Sequence, residues 1–74
     1  MNADIKNAID YQIRYSNKHF GSKFNSYHEG YSVILEELDE VWHEIKQKSV
    51  DKVKLKNELI QVASMAVKLL QQIE

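Results

Sequence analysis

Four glutamates have the residue type and spacing needed to bind a hard divalent cation. Glu36, Glu37 and Glu40 lie in the segment EELDE, and Glu58 begins the segment ELIQ after 17 intervening residues. Carboxylate oxygens are the ligands that Mg²⁺ and Mn²⁺ prefer, and a bound Mg²⁺ commonly holds substrate phosphates. Carboxylates held close together are costly unless one is protonated or a cation joins them. These acids therefore predict a metal site, provided that the fold brings the two segments together.

The apolar residues that would position these acids recur at helical spacing in three stretches. The first stretch, residues 3 to 19, carries one stripe, formed by Ile5, Ala8, Ile9 and Ile13. The second, residues 27 to 48, carries a strict heptad seam, formed by Tyr27, Tyr31, Ile34, Leu38, Val41 and Ile45. The third, residues 52 to 73, carries another such seam, formed by Leu55, Leu59, Val62, Ala66, Leu69 and Ile73.

Local signals mark where these helices begin. Ser26 and Glu29 match a capping box, which predicts that the second helix starts near residue 27. Either Ser49 or Asp51 can cap the third helix. The short link between the second and third helices predicts an antiparallel helical hairpin. Gly30, inside the second helix, indicates that another element packs close to the backbone there.

Length and composition indicate one small all-α domain over residues 1–74. The chain has no Cys, so neither disulfides nor a thiolate metal site can stabilise it. It also has no Pro, which suits an all-helical fold. Helix three has a second apolar stripe, which predicts that it sits in the middle of a bundle. A core of this size is marginal alone. We therefore expect an N-terminal helix and a helical hairpin whose four-helix-type bundle is completed in a homodimer or homotetramer.

The heptad positions predict where the acids lie on the hairpin. With Leu38 and Leu59 taken as seam positions, five side chains fall on one flank of the helix pair. These are Glu37, Glu40, Glu44, Glu58 and Gln61. This placement is compatible with a shared metal site but does not by itself favour one. The alternative is a solvated acidic flank of the kind that often borders a heptad seam.

The two acidic segments and their surroundings resemble the MazG-like nucleotide pyrophosphohydrolases. The likeness covers about residues 27 to 70, and the longer runs HEGYSVILEELDEVWHEI and NELIQVASMA resemble phage and bacterial members. The resemblance implies an all-α enzyme that uses Mg²⁺ or Mn²⁺ to cleave nucleoside triphosphates to monophosphate and pyrophosphate. It implies metal binding by Glu37, Glu40 and Glu58. Glu36 matches the leading acid of the first motif, and the resemblance implies a catalytic role for Glu36 and Glu37.

The sequence departs from the family pattern at Gln61, where the second motif usually ends in Asp. A neutral amide supplies no charge and cannot act as a base. Family members typically also have a further helix or subdomain, whereas the sequence stops soon after helix three. These departures favour an alternative, in which the chain is a catalytically silent relative that binds proteins or nucleotides. A heptad-mediated adaptor unrelated to the family is a third possibility.

Other features narrow the function classes. The net charge of −1 gives no global field that would steer the chain to nucleic acid or an anionic membrane. The sequence has no signal-peptide pattern and no apolar run long enough to span a bilayer, which predicts a cytoplasmic protein. The histidines lack the spacing of a metal site and are read as exposed or capping residues. The basic residues that could grip phosphates form no discriminating pattern; the candidates are Arg14, Lys18, Lys52, Lys54, Lys56 and Lys68.

Overall fold

The chain folds into three α-helices and contains no strand, which confirms the all-helical prediction. The computed structural model describes all residues from Met1 to Glu74. Helix α1 spans Ala3–Phe20, α2 spans Tyr27–Ile45 and α3 spans Lys52–Ile73. None of the three combines the length and apolar character that crossing a membrane requires.

Side-chain caps fix the beginning of each helix, since they bind backbone N–H groups that have no partner within the helix. Asn2 Oδ1 accepts hydrogen bonds from the backbone N–H groups of Asp4 and Ile5. Asp51, and not Ser49, caps α3 by accepting from the N–H groups of Val53 and Lys54. The structure thus decides between the two caps that the sequence allowed.

The start of α2 is as predicted, with one change in the capping box. Ser26 Oγ accepts a hydrogen bond from the N–H of Glu29 at 3.0 Å. The Glu29 carboxylate, however, reaches back to Asn25 rather than to the N–H of Ser26, and it accepts from the backbone N–H and the side-chain amide of that residue. This exchange ties the loop before α2 to the first turn of the helix.

The end of α2 was predicted too late. The helix stops at Ile45, three residues before the predicted end at residue 48. The three residues that follow Ile45 are polar and exposed, so no burial keeps them helical. Gln47 Nε2 also donates to the carbonyl of His43, which satisfies one of the free carbonyls of the last turn.

Helix α3 is the central element, because its backbone packs closely against both α1 and α2, while no Cα atom of α1 lies within 8 Å of one in α2. The buried apolar side chains come from all three helices and from the loop before α2. They are Ile9, Ile13, Phe24, Val41 and Met65. This is a small core, and polar side chains of α3, Ser64 and Lys68, are also buried where α3 meets α1.

The line along which α2 contacts α3 differs from the predicted heptad seam. Of the predicted seam residues only Val41 is buried and only Ile34 is half-buried, while the other four are exposed, namely Tyr27, Tyr31, Leu38 and Ile45. Gly30 is buried on this line. A Cβ atom added at Gly30 would lie 3.0 Å from Leu69 Cδ1, so the missing side chain lets α3 approach closely. The buried face of α2 is therefore rotated relative to the predicted seam, toward Gly30 and Glu37.

Candidate functional site

Three of the predicted metal ligands lie together at the packing surface of α2 and α3. Glu37 and Glu40 are almost one turn apart on α2, and Glu58 is on α3. One carboxylate oxygen from each lies within 4.8 Å of the other two. No other three Asp, Glu or His side chains of the chain converge in this way. The rotation of α2 described above supports this grouping, because it turns Glu37 into the half-buried contact line.

The crowding of the three carboxyls raises the pKa of two of them. A hydrogen bond with the Glu40 carboxyl is the largest cause that raises the pKa of Glu58 to about 7, followed by burial and by the charges of neighbouring glutamates. Burial is the largest cause that raises the pKa of Glu37, and the Glu40 charge adds to it. The ionised forms are therefore disfavoured unless a proton or a cation is shared among them.

One oxygen of the group has no partner. Glu37 Oε2 is buried and forms no hydrogen bond. A buried carboxylate oxygen normally has a hydrogen-bond donor or a cation beside it. Oxygen donors from three carboxylates are the ligand chemistry of Mg²⁺ and Mn²⁺, so the residues present fit such an ion. Glu37, Glu40 and Glu58 can supply three of its ligands.

A groove with a cavity volume of about 610 Å³ opens beside the acids. Glu36 and Glu37 line it from α2, and Gln61 lines it from α3. Tyr15 and Phe24 contribute aromatic surface from α1 and the following loop. The groove is large enough for a ligand of nucleotide size, and such pockets combine apolar walls with a few fixed polar groups.

Of the remaining residues singled out in the sequence, Glu44 and Gln61 lie near the carboxylate group or the groove, and the histidines lie outside the carboxylate group. Glu44 is half-buried and its charge contributes to the raised pKa of Glu58. Gln61 occupies the groove near Glu37, in the position where the resembled family carries Asp. The three histidines are exposed and none belongs to the carboxylate group. His19 instead packs against Tyr15, with ring centroids 4.3 Å apart and the ring planes tilted by 42°.

Sequence reasoning did not single out the most buried charged residue near the groove. Lys68 was one of six basic candidates, and the structure distinguishes it by burying it at the groove wall. Its hydrogen-bond partners, Ser16 and Gly21, are 52 and 47 residues away in the chain. No local pattern could have identified these contacts. The sequence offered one indication of its burial: Lys68 stands between two apolar residues, Val67 and Leu69, in a helix with two apolar stripes.

Comparisons of the chain with protein-family models, with curated proteins and with solved structures return no match. The side-chain geometry and the motif pattern are therefore the observations from which a function can be inferred. The strongest of these is the convergence of the three glutamates beside the groove.

Proposed function

We propose that this chain is a Mg²⁺-dependent pyrophosphohydrolase of the MazG-like type, which converts nucleoside triphosphates to monophosphates and pyrophosphate. The observation that supports it best is the group formed by Glu37, Glu40 and Glu58, whose oxygens lie within 4.8 Å of one another. The unpartnered Glu37 Oε2 adds to this support, since a cation would satisfy it. The groove beside the group offers room for the nucleotide.

The reaction breaks the bond between the α-phosphorus and the oxygen that bridges to the β-phosphorus, and water supplies the new oxygen of the monophosphate. A bound Mg²⁺ would neutralise phosphate charge and favour an ordered attacking water. Glu37, Glu40 and Glu58 would hold that ion. Glu36 and Glu37 border the groove, and we assign to them the orientation of the water and the acceptance of its proton.

Measuring pyrophosphate release from a panel of nucleoside triphosphates with Mg²⁺ or Mn²⁺ tests this proposal. We expect Glu37→Gln and Glu40→Gln to lower the rate by about 100-fold or more, because a lost metal ligand removes several kcal/mol of charge stabilisation. Asp39→Asn is the matched control, since Asp39 is an exposed acid of α2 outside the group. Equal rates in wild type and both glutamine variants, or no release from any nucleotide, would refute the proposed activity.

We also propose that α2 and α3 form an antiparallel hairpin whose bundle is completed by a second copy of the chain. The approach of Gly30 to Leu69 and of Glu40 to Glu58 supports opposite helix directions. Exposed apolar residues of α2 step by four and three positions, which is the spacing of a helix-packing surface. They are Tyr31, Leu35, Leu38, Trp42 and Ile45. A dimer or tetramer would cover them.

A catalytically silent binding module is the second candidate, and Gln61 is the observation that favours it. Its neutral amide lines the groove where a fourth carboxylate would strengthen metal binding. Calorimetric titration with Mg²⁺ and nucleotides separates the two candidates. Saturable nucleotide binding that requires the metal, together with pyrophosphate release, favours the enzyme. Binding without turnover favours the silent module.

A further inference from the structure

The side chain of Lys68 connects three parts of the molecule from a buried position. The residue lies on α3 and is only 2% exposed. Its Nζ donates one hydrogen bond to Ser16 Oγ on α1 at 2.7 Å and another to the carbonyl of Gly21 at 2.9 Å. The ammonium also lies 5.0 Å from the centre of the Phe24 ring. Lys68 is thus held in place by α1 and by the loop before α2.

The acceptors that hold this ammonium carry no charge. A lysine ammonium has three N–H donors, so one remains beyond the two bonds described. Buried charges in proteins are normally paired with an opposite charge. Burial lowers the pKa of Lys68, and the Glu29 charge opposes this effect only in part. The two hydrogen bonds of the Lys68 ammonium therefore do not neutralise its charge, and an anion that approached Lys68 would do so.

The groove beside the glutamates gives an anion a route to Lys68. Lys68 lines the groove together with Lys23 from the loop, while Glu36 and Glu37 line it from α2. One cavity of about 610 Å³ therefore has an ammonium in its wall together with Glu37, one of the three carboxylates that suit a divalent cation, and Glu29 lines it as well. A chain of phosphates bound to such a cation needs both kinds of contact, since it carries more negative charge than one ion neutralises.

We propose that Lys68 binds the phosphate chain of the nucleotide in this groove, with its remaining N–H donating to a phosphate oxygen. This inference rests on the proposed function for the identity of the anion, and it assigns the phosphate contact that the sequence left open among six basic residues. The hydrogen bonds to Ser16 and Gly21 fix the ammonium in advance, so little side-chain entropy is lost when phosphate binds.

Isothermal titration with inorganic tripolyphosphate, in the presence and in the absence of Mg²⁺, tests the assignment. Lys68→Met removes the charge and keeps a side chain of similar length. Gln72→Leu is the matched control, because Gln72 also ties α3 to the loop through two hydrogen bonds with the Phe24 backbone but does not line the groove. We expect tripolyphosphate binding about tenfold or more weaker in Lys68→Met and within about threefold of wild type in Gln72→Leu.

Equal affinities of wild type and Lys68→Met, an equal loss in Gln72→Leu, or no tripolyphosphate binding by wild type in either condition would overturn the assignment. If Lys68→Met does not fold, the ¹⁵N-detected ammonium signal of Lys68 in the wild-type protein decides. It should shift as tripolyphosphate is added, and an unchanged signal at saturation would overturn the assignment. Pyrophosphate release that persists unchanged in Lys68→Met would refute the role of Lys68 and leave the proposed activity intact. Tripolyphosphate binding that depends on Lys68, without pyrophosphate release from any nucleotide, would support the role of Lys68 and refute the proposed activity.

Discussion

At the scale of single residues, Glu58 makes the stability of the metal-free protein depend on pH in an unusual direction. Its pKa is raised from 4.5 to about 7 in the folded state. Between these values the folded state binds more protons than the unfolded state, so the free energy of unfolding falls as pH rises. Glu37, whose pKa is also raised, contributes with the same sign.

Urea unfolding in EDTA across pH 4.5 to 7 measures this effect. We expect the free energy of unfolding to decrease toward pH 7, and we expect Glu58→Gln to flatten the decrease because the uncharged amide cannot ionise. Mg²⁺ should stabilise the protein more at pH 7 than at pH 5, since a metal competes with protons for its ligands. A profile that rises toward pH 7 in EDTA, or one that Glu58→Gln leaves unchanged, would contradict the assigned cause.

The residue scale is also where the sequence predicted most. The sequence placed Glu37, Glu40 and Glu58 on one flank of two helices, and the structure brings these three together. The heptad register from which this placement was argued is nevertheless wrong, since Leu38 is exposed. The burial of Lys68 at the groove could not be predicted, because Ser16 and Gly21 reach it only through tertiary packing. Helical periodicity describes one element at a time and contains no information on such contacts.

At the scale of the elements, Gly30 determines how closely α2 approaches α3. An added Cβ would lie 3.0 Å from Leu69 Cδ1 and 3.1 Å from Phe24 Cδ2. Crowding of this kind costs about 1–3 kcal/mol, whereas replacing Gly by Ala inside a helix gains about 1 kcal/mol. We expect Gly30→Ala to destabilise the protein by about 1 kcal/mol net, measured by urea unfolding.

A double-mutant cycle with Leu69→Ala isolates the contact. Shortening Leu69 removes two of the three closest atoms, so Gly30→Ala should become less costly in that background. We expect a coupling free energy of about 1 kcal/mol. Additive effects of the two substitutions would show that Leu69 does not limit the approach of the helices.

The same contact explains why the orientation of α2 was predicted wrongly. The sequence shows an uninterrupted heptad seam that includes Tyr31 and Leu38, yet both are exposed. The heptad pattern leaves Gly30 out, although Gly30 itself indicated that another element packs close to the backbone there, and in the structure Leu69 of α3 does so. A residue without a side chain contributes nothing to an apolar pattern, so periodicity cannot identify it as a contact.

At the scale of the whole molecule, the apolar residues displaced from the predicted seam form an exposed face. Trp42 follows buried Val41 and Glu40 precedes it, so at about 100° per residue they flank the contact line with α3 on opposite sides. The acidic side borders the groove, and α3 also exposes apolar residues such as Leu59 and Ile73. The exposed apolar residues of α2 and the candidate site therefore lie on opposite sides of that helix.

Sedimentation equilibrium tests the assembly. We expect the wild-type protein to have the mass of a dimer or tetramer of the 8.7 kDa chain. We expect Trp42→Glu to lower this mass toward that of the monomer. Trp42 is 60% exposed in the single chain, so its replacement should change monomer stability by only about 0.5 kcal/mol. Tyr11→Glu is the matched control, since Tyr11 is 57% exposed on α1, away from this face. A monomeric wild type, or equal effects of both variants, would contradict the proposed assembly.

Divalent-cation binding by Glu37, Glu40 and Glu58 is the claim on which the proposed chemistry depends. A crystal soaked with Mn²⁺ tests it directly through the anomalous scattering of the metal. We predict a single strong anomalous peak between the three carboxylates, at about 2.0–2.3 Å from their oxygens, and its disappearance in Glu37→Gln. An anomalous map with no peak between these carboxylates at saturating Mn²⁺ would contradict the metal site and the hydrolysis that requires it.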